Sequence, residues 1–240
     1  MGVTSKSAFM ANKTVIVTGA SGNLGQAVIK KFLAEEFNVV GTIVPKDPAP
    51  FDIEDAKLEK VIVDLMSEED AGKFVQKIIA KYGSVDAVVL TVGGFAMGTV
   101  AETKTSDIYK QYKLNFETAY NVARPAFVQM LQQKTGRIFM IGSKPGLSAV
   151  NGKGMIAYSL GKSLIFRLAE LMNVEARGTD VVTNVVVPST IDTPQNRKAM
   201  PDADFSAWVK PEAIADVIYF YCTGAAAVLR EPVIKIYNKA

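Results

Sequence analysis

The 240 residues, 49% of them hydrophobic, suffice for one large α/β core, and the formal charge of +3 comes from 27 basic and 24 acidic side chains with no basic block, so nothing points to nucleic acid. There is no histidine and only one cysteine, Cys222, which excludes an internal disulfide, the usual zinc sites and any nucleophile activated by imidazole. No window approaches the roughly 18 apolar residues of a membrane span and the first 13 residues carry no signal-peptide core, so the expectation is a soluble, cytoplasmic protein with no membrane partner.

Residues 13–18 form a short β-branched run that ends at Gly19, and residues 24–37 then place Leu24, Val28, Phe32 and Leu33 on one side of a helix. The first unit therefore reads strand, glycine turn, helix. Strands are expected near 38–44, 60–63, 85–91, 136–142, 180–187 and 232–237, and helices near 68–81, 105–133, 155–177 and 211–222. Runs such as Asp86-Ala-Val-Val-Leu90 and Val181-Val-Thr-Asn-Val-Val-Val187 are apolar without strict alternation, as strands of a parallel sheet covered on both faces are. A single doubly wound α/β domain over residues 1–240 is the expected architecture. Helix 155–177 carries two apolar stripes, Leu160, Leu164, Leu168 and Leu171 on one side and Ile165, Ala169 and Met172 with Tyr158 and Lys162 on another. One stripe covers the sheet; the other asks for a second copy of the chain, which predicts a homodimer or homotetramer packed through helices 105–133 and 155–177.

Thr18-Gly-Ala-Ser-Gly-Asn-Leu-Gly25 lies between the first strand and helix, where a dinucleotide fingerprint belongs. Gly19 permits the turn, Gly22 lets backbone approach a pyrophosphate, and Gly25 lets the helix pack closely, with Ser21, Asn23 and Leu24 at the helix N-terminus facing the phosphates. An acid at the end of the second strand would select NAD by binding the ribose 2′-hydroxyl. This strand ends Val40-Gly-Thr-Ile-Val-Pro-Lys46 with no acid before Asp47, so NADP is favoured over NAD, with Thr42 and Lys46 able to serve the extra phosphate and Lys46 equally readable as a solvated loop lysine. Asp64, followed by Leu65, either bonds the adenine or caps the next helix.

In a chain without histidine, Tyr158 and Lys162 offer a proton-transfer pair one helical turn apart, because an ammonium beside a phenol favours the phenolate. Tyr109 and Lys113 repeat the spacing, so spacing alone does not choose. Context does: Tyr158 follows strand 137–141, Gly142-Ser143 and a glycine-rich loop, and so opens its helix just past the C-terminal edge of the sheet, where such folds bind ligands.

With these residues in place, the chain resembles the short-chain dehydrogenase/reductase family along nearly its whole length. Thr18 to Gly25 is similar to that family's cofactor loop, Val92-Gly93-Gly94 occupies the place of its Asn-Asn-Ala-Gly segment, and Pro188-Ser189-Thr190-Ile-Asp-Thr193 resembles its Pro-Gly segment beside the nicotinamide. The resemblance implies a Rossmann-type fold and hydride transfer between NAD(P) and a small-molecule carbonyl substrate. It implies a catalytic set of Asn115, Ser143, Tyr158 and Lys162. Tyr158 would donate the proton, Ser143 would hold the acceptor oxygen, Lys162 would hold the nicotinamide ribose and lower the pKa of Tyr158, and Asn115 would support a water linking Lys162 to solvent. Thr193 would meet the carboxamide and Gly93 would line the ribose channel. Residues 192–208, Gly93-Gly94-Phe95 and Gly154-Met-Ile-Ala-Tyr158 also resemble the dihydropteridine-reducing branch of the family, although Ile43 stands where that branch has its NAD-selecting acid. A carbonyl reductase, a quinoid dihydropteridine reductase and a non-catalytic NADP sensor are the three functions left open. The sensor is disfavoured because both tyrosine and lysine are retained.

Overall fold

The computed structural model describes residues 13–45 and 51–239, so Lys46 lies outside the described residues. Each central strand sends alternate side chains into two separate cores, which is why the runs are apolar throughout. Ile16, Val88, Leu90, Ile138, Met140 and Val185 enter one core, while Val15, Val17, Val89, Phe139, Ile141 and Val186 enter the other. The strands are β1 (Thr14–Thr18), β2 (Asn38–Ile43), β3 (Leu58–Ile62), β4 (Ala87–Leu90), β5 (Thr135–Ile141), β6 (Asp180–Pro188) and β7 (Val233–Ile236). They pair in parallel throughout, in the order β3-β2-β1-β4-β5-β6-β7. This is a Rossmann-type doubly wound sheet, and its order reverses between β1 and β4, opening a crevice at their C-terminal ends.

The longer helices are α1 (Asn23–Ala34), α2 (Glu68–Tyr82), α3 (Thr105–Tyr112) and α4 (Thr118–Gln133), followed by a short α5 (Lys144–Leu147), α6 (Ile156–Glu175), a short α7 (Pro194–Ala199) and α8 (Pro211–Tyr221). On one face α2, α4 and α6 bury Phe74, Ile78, Phe127, Met130 and Ile165 against the sheet. On the other, α1 and α8 bury Phe32, Ile214 and Ile218, and Phe32 meets Phe37 edge to face at 5.0 Å, a contact worth ~0.5–1.5 kcal/mol beyond its buried area. Helix α2 begins as its sequence dictates: Ser67 Oγ accepts from the Asp70 N–H at 3.2 Å, three acids occupy the first turn, and Gly83 ends the helix at φ 78°.

The helix expected over 105–133 is divided. Residues Lys113–Glu117 form one π turn between α3 and α4. The extra residue in that turn rotates Asn115 out of the helical register, and its side chain is drawn inward onto Gly94; Thr118 Oγ1 donates to the Leu114 carbonyl at 2.9 Å across the same turn. In α6, Lys162, Ile165, Ala169 and Met172 are buried toward the sheet, whereas Leu160, Leu164 and Leu171 are exposed, Leu171 by 54%. No described helix is long and apolar enough to cross a membrane.

Candidate active site

The crevice begins with a clasp between strand ends. Thr91 Oγ1 donates to the Thr18 carbonyl at 2.7 Å, and the Thr91 N–H donates to Thr18 Oγ1 at 3.1 Å, so the loops after β1 and β4 leave the sheet side by side. Gly19 turns the chain at φ 65°, and α1 returns so closely that a Cβ on Gly25 would lie 2.1 Å from the Gly19 carbonyl oxygen. Gly22 is the N-cap of α1 and contributes no side-chain cap, which leaves the first-turn N–H groups open toward the crevice. A cleft of about 490 Å³ results.

Of the residues expected to hold a cofactor, Gly19, Ser21, Gly22, Asn23, Leu24, Gly25, Asp64, Leu65, Val92, Gly93 and Thr193 line this cleft, as does Thr42. Asp64 Oδ1 accepts from the Met66 N–H at 2.9 Å, and the cap of α2 belongs to Ser67, so of its two expected roles Asp64 takes the position at the cleft wall. Gly94 sits beside the cleft with its N–H and carbonyl both bound to Asn115. Pro188, Ser189 and Thr190 do not line the cleft. Pro188 ends β6 in the core, Ser189 donates from Oγ to the Tyr237 carbonyl at 2.8 Å, and the Thr190 carbonyl accepts from the Val209 N–H. Thr193 lines the cleft and also caps α7, its Oγ1 accepting from the Asn196 N–H at 3.1 Å.

Sequence reasoning missed Val44, Val63, Met66, Thr91, Leu114, Thr118, Ile191, Gln195 and Asn196 as cleft residues. Thr91 was within reach, since it follows β4 opposite Thr18. The last three belong to the segment after β6, whose path over the cleft is set by a parallel bridge between Ile191 and Val209 that no local pattern announces.

Of the four catalytic candidates, Asn115 and Lys162 meet behind Gly93 of the cleft wall. Asn115 is fully buried, accepting from the Gly94 N–H at 3.1 Å and donating to the Gly94 carbonyl at 3.0 Å and to Gln111 Oε1 at 2.7 Å. Lys162, 5% exposed, donates from Nζ to the Ile141 carbonyl at 2.7 Å. A Cβ on Gly93 would lie 2.8 Å from Asn115 Oδ1 and 3.0 Å from Lys162 Nζ, so the two side chains flank the same backbone position. Tyr158 has the Ser143 side chain as its polar neighbour, and Ser143 Oγ accepts from the Gly146 N–H at 3.1 Å as the cap of α5. The Phe95 ring meets the Tyr158 ring edge to face at 5.2 Å. The rival pair, Tyr109 and Lys113, is exposed on the surface.

Electrostatics here depart from the expectation that Lys162 lowers the pKa of Tyr158. Burial pushes the phenol above its ordinary 10, and the group that opposes this is the Ser143 side chain. Lys162 points its ammonium at the Ile141 carbonyl, and burial brings its own pKa down from 10.5 to about 8. The result is a phenol that stays protonated at neutral pH, with a lysine of lowered proton affinity one helical turn further along α6.

The residues present fit a dinucleotide. The open N-terminus of α1 and the close approach at Gly25 make a backbone cradle for phosphates, and Asp64 and Thr42 line the cleft beyond it. A groove of that kind leading to a protonated phenol and a softened ammonium defines an NAD(P)-dependent oxidoreductase. The sequence profile for short chain dehydrogenases matches residues 13–204, and the chain belongs to that family. It is 28% identical over 189 residues to acetoacetyl-CoA reductase of Acinetobacter sp. (strain RA3849), which covers 76% of this chain and 75% of that protein. It is 26% identical over 221 residues to dihydropteridine reductase of Dictyostelium discoideum, covering 89% of each. Among solved structures, ElxO with NADP bound superposes with a TM-score of 0.84 at 25% identity, over 94% of this chain and 97% of that one.

Proposed function

We propose that this chain reduces a small carbonyl compound, preferring NADPH to NADH, with Tyr158 as the proton donor. The observation that carries the reading is that Lys162 and Asn115 flank Gly93 of the cleft wall, with Tyr158 one helical turn before Lys162 and Ser143 as the polar neighbour of its phenol. A dinucleotide held by the Gly19–Gly25 loop would supply a hydride to the carbonyl carbon. Everything else falls to side chains. Ser143 and Tyr158 together fix the acceptor oxygen, and the Tyr158 hydroxyl gives its proton to that oxygen as negative charge builds there. Lys162, poised near pH 8, returns a proton to the phenolate, and Asn115, with its amide anchored to Gly94, keeps Oδ1 on the Lys162 side for a bridging water.

The NADP preference rests on the end of β2. Ile43 and Val44 stand where an acid would bind a ribose 2′-hydroxyl, and Asp64 is the only carboxylate lining the cleft among the described residues. ElxO, which is similar over nearly the whole chain, is described with NADP. Calorimetric titration with both dinucleotides tests the preference: tighter binding of NADPH is expected, and tighter binding of NADH would overturn it.

A second reading, dihydropteridine reduction, is supported by the resemblance of residues 192–208 and by the Dictyostelium relative. A turnover screen with NADPH against aldehydes, ketones and quinonoid dihydropterin separates the two. Carbonyl turnover without pterin turnover supports the first reading; the reverse selects the second, and no turnover of either refutes both. We also propose assembly as a homodimer or homotetramer through the exposed Leu160, Leu164 and Leu171 face of α6 together with Tyr120 and Val128 of α4. A monomeric mass by light scattering at micromolar concentration would refute it.

A further inference from the structure

Next to Tyr158 lies a second cavity, of about 670 Å³, between α3 and the loop after β4. Leu114 lines both this cavity and the dinucleotide cleft, Phe95 lines it while touching the Tyr158 ring, and Ala157 lines it immediately before Tyr158. Its walls are apolar at Phe95, Met97, Leu114 and Ala157, with one deeply set polar side chain, Gln111, 4% exposed.

The polarity of Gln111 is dictated by backbone two residues away in space. The Gly94 N–H can only donate, so the atom of Asn115 facing it is Oδ1. The Asn115 amide nitrogen is thereby turned to the Gly94 carbonyl and to Gln111, and it can only donate. Gln111 must present Oε1 to it, which leaves Gln111 Nε2, a two-proton donor, without a protein partner among the described residues, and because it is not among the fully buried unpaired atoms it stays open to water beside the cavity that Gln111 lines. At the rim, the carboxylates of Glu102 and Asp107 are committed to the N–H groups of Thr99 and Lys104, while Lys110 has no ion-pair partner among the described residues.

We propose that this cavity is a substrate subsite in which Gln111 Nε2 donates to a second acceptor oxygen of the substrate, so that the chain takes apolar-bodied carbonyl compounds carrying an oxygen acceptor apart from the reacting carbonyl. The proposal rests on the carbonyl-reductase reading for its chemistry but not for its geometry. A ligand that fills the cavity displaces the water that serves this donor; one lacking the acceptor leaves the donor buried and unpaired, which is costly, and that asymmetry is the source of the discrimination.

The test compares ethyl 3-oxobutanoate with 2-heptanone, which match in chain length and differ in the second acceptor. The variant Gln111→Glu keeps an oxygen for Asn115 and removes the donor from the cavity. The ratio of KM for the ester to KM for the ketone is expected to rise ~10-fold in this variant; an equal change for both substrates would overturn the proposal. In the wild-type protein, the ¹⁵N side-chain amide resonance of Gln111 is expected to shift on saturation with the ester and to stay in place with 2-heptanone. No shift with the ester would also overturn it. A shift without turnover of either compound would uphold the subsite and refute the carbonyl-reductase reading.

Discussion

Replacing Lys162 by methionine should make the protein without bound dinucleotide more stable relative to wild type at pH 7 than at pH 10. The drop from 10.5 to about 8 means that the folded state holds the Lys162 proton less well than the unfolded chain does, a deficit of ~3 kcal/mol at neutral pH. Below pH 8 both states are protonated and the deficit is constant. Between pH 8 and 10.5 the unfolded chain binds more protons than the native state, so stability rises with pH, and above 10.5 the deficit is gone. Methionine carries no such proton. The Ile141 carbonyl that loses its donor contributes a penalty to the variant, but one that does not change with pH. Urea unfolding of both proteins at pH 7, 8, 9 and 10, followed by circular dichroism, should show the wild type gaining ~2–3 kcal/mol on the variant across the series. A difference that stays flat with pH would refute the claim that burial has displaced the Lys162 pKa, and with it the view of Lys162 as a ready proton source for Tyr158.

Gly25→Ala would drive a Cβ to within 2.1 Å of the Gly19 carbonyl, so α1 must retreat by about 1 Å; we expect ~3 kcal/mol lost in urea unfolding and at least ~10-fold weaker NADPH binding by calorimetry, and unchanged values in both would contradict the close-approach argument. Asn115→Ala removes three hydrogen bonds and orphans the Gly94 N–H and carbonyl, which should cost ~2–4 kcal/mol in the same unfolding assay and weaken NADPH binding; a variant as stable as wild type would show that the π turn does not depend on this anchor.

The alternation of strand and helix was legible because it rests on local composition. Val15-Ile16-Val17 and the runs at β4, β5 and β6 are buried on both faces, and their apolar continuity says so. The glycine loop was legible for a related reason: Gly19 and Gly25 answer to backbone geometry that few other residues satisfy. The π turn at 113–117 was not, since one inserted residue leaves the helical periodicity on either side intact, and what stabilises it is the backbone of Gly94, 21 residues away. The placements of Ser189 and Thr190 were hidden in the same way. Their hydrogen-bond partners, Tyr237 and Val209, lie far along the chain. Tyr158 illustrates the limit most directly. Its position at the opening of α6 followed from the preceding strand and loop, but the sign of its pKa displacement depends on how deeply the ring is buried and on which neighbour bonds it, and neither is a property of spacing.

The central claim is that Tyr158 delivers the proton. Turnover of Tyr158→Phe with NADPH and the best carbonyl substrate from the screen, alongside calorimetric NADPH binding, tests it most directly, because phenylalanine keeps the ring beside Phe95 and removes only the hydroxyl. The account predicts a loss of ~100-fold or more in turnover with dinucleotide affinity preserved; turnover close to wild type would contradict it.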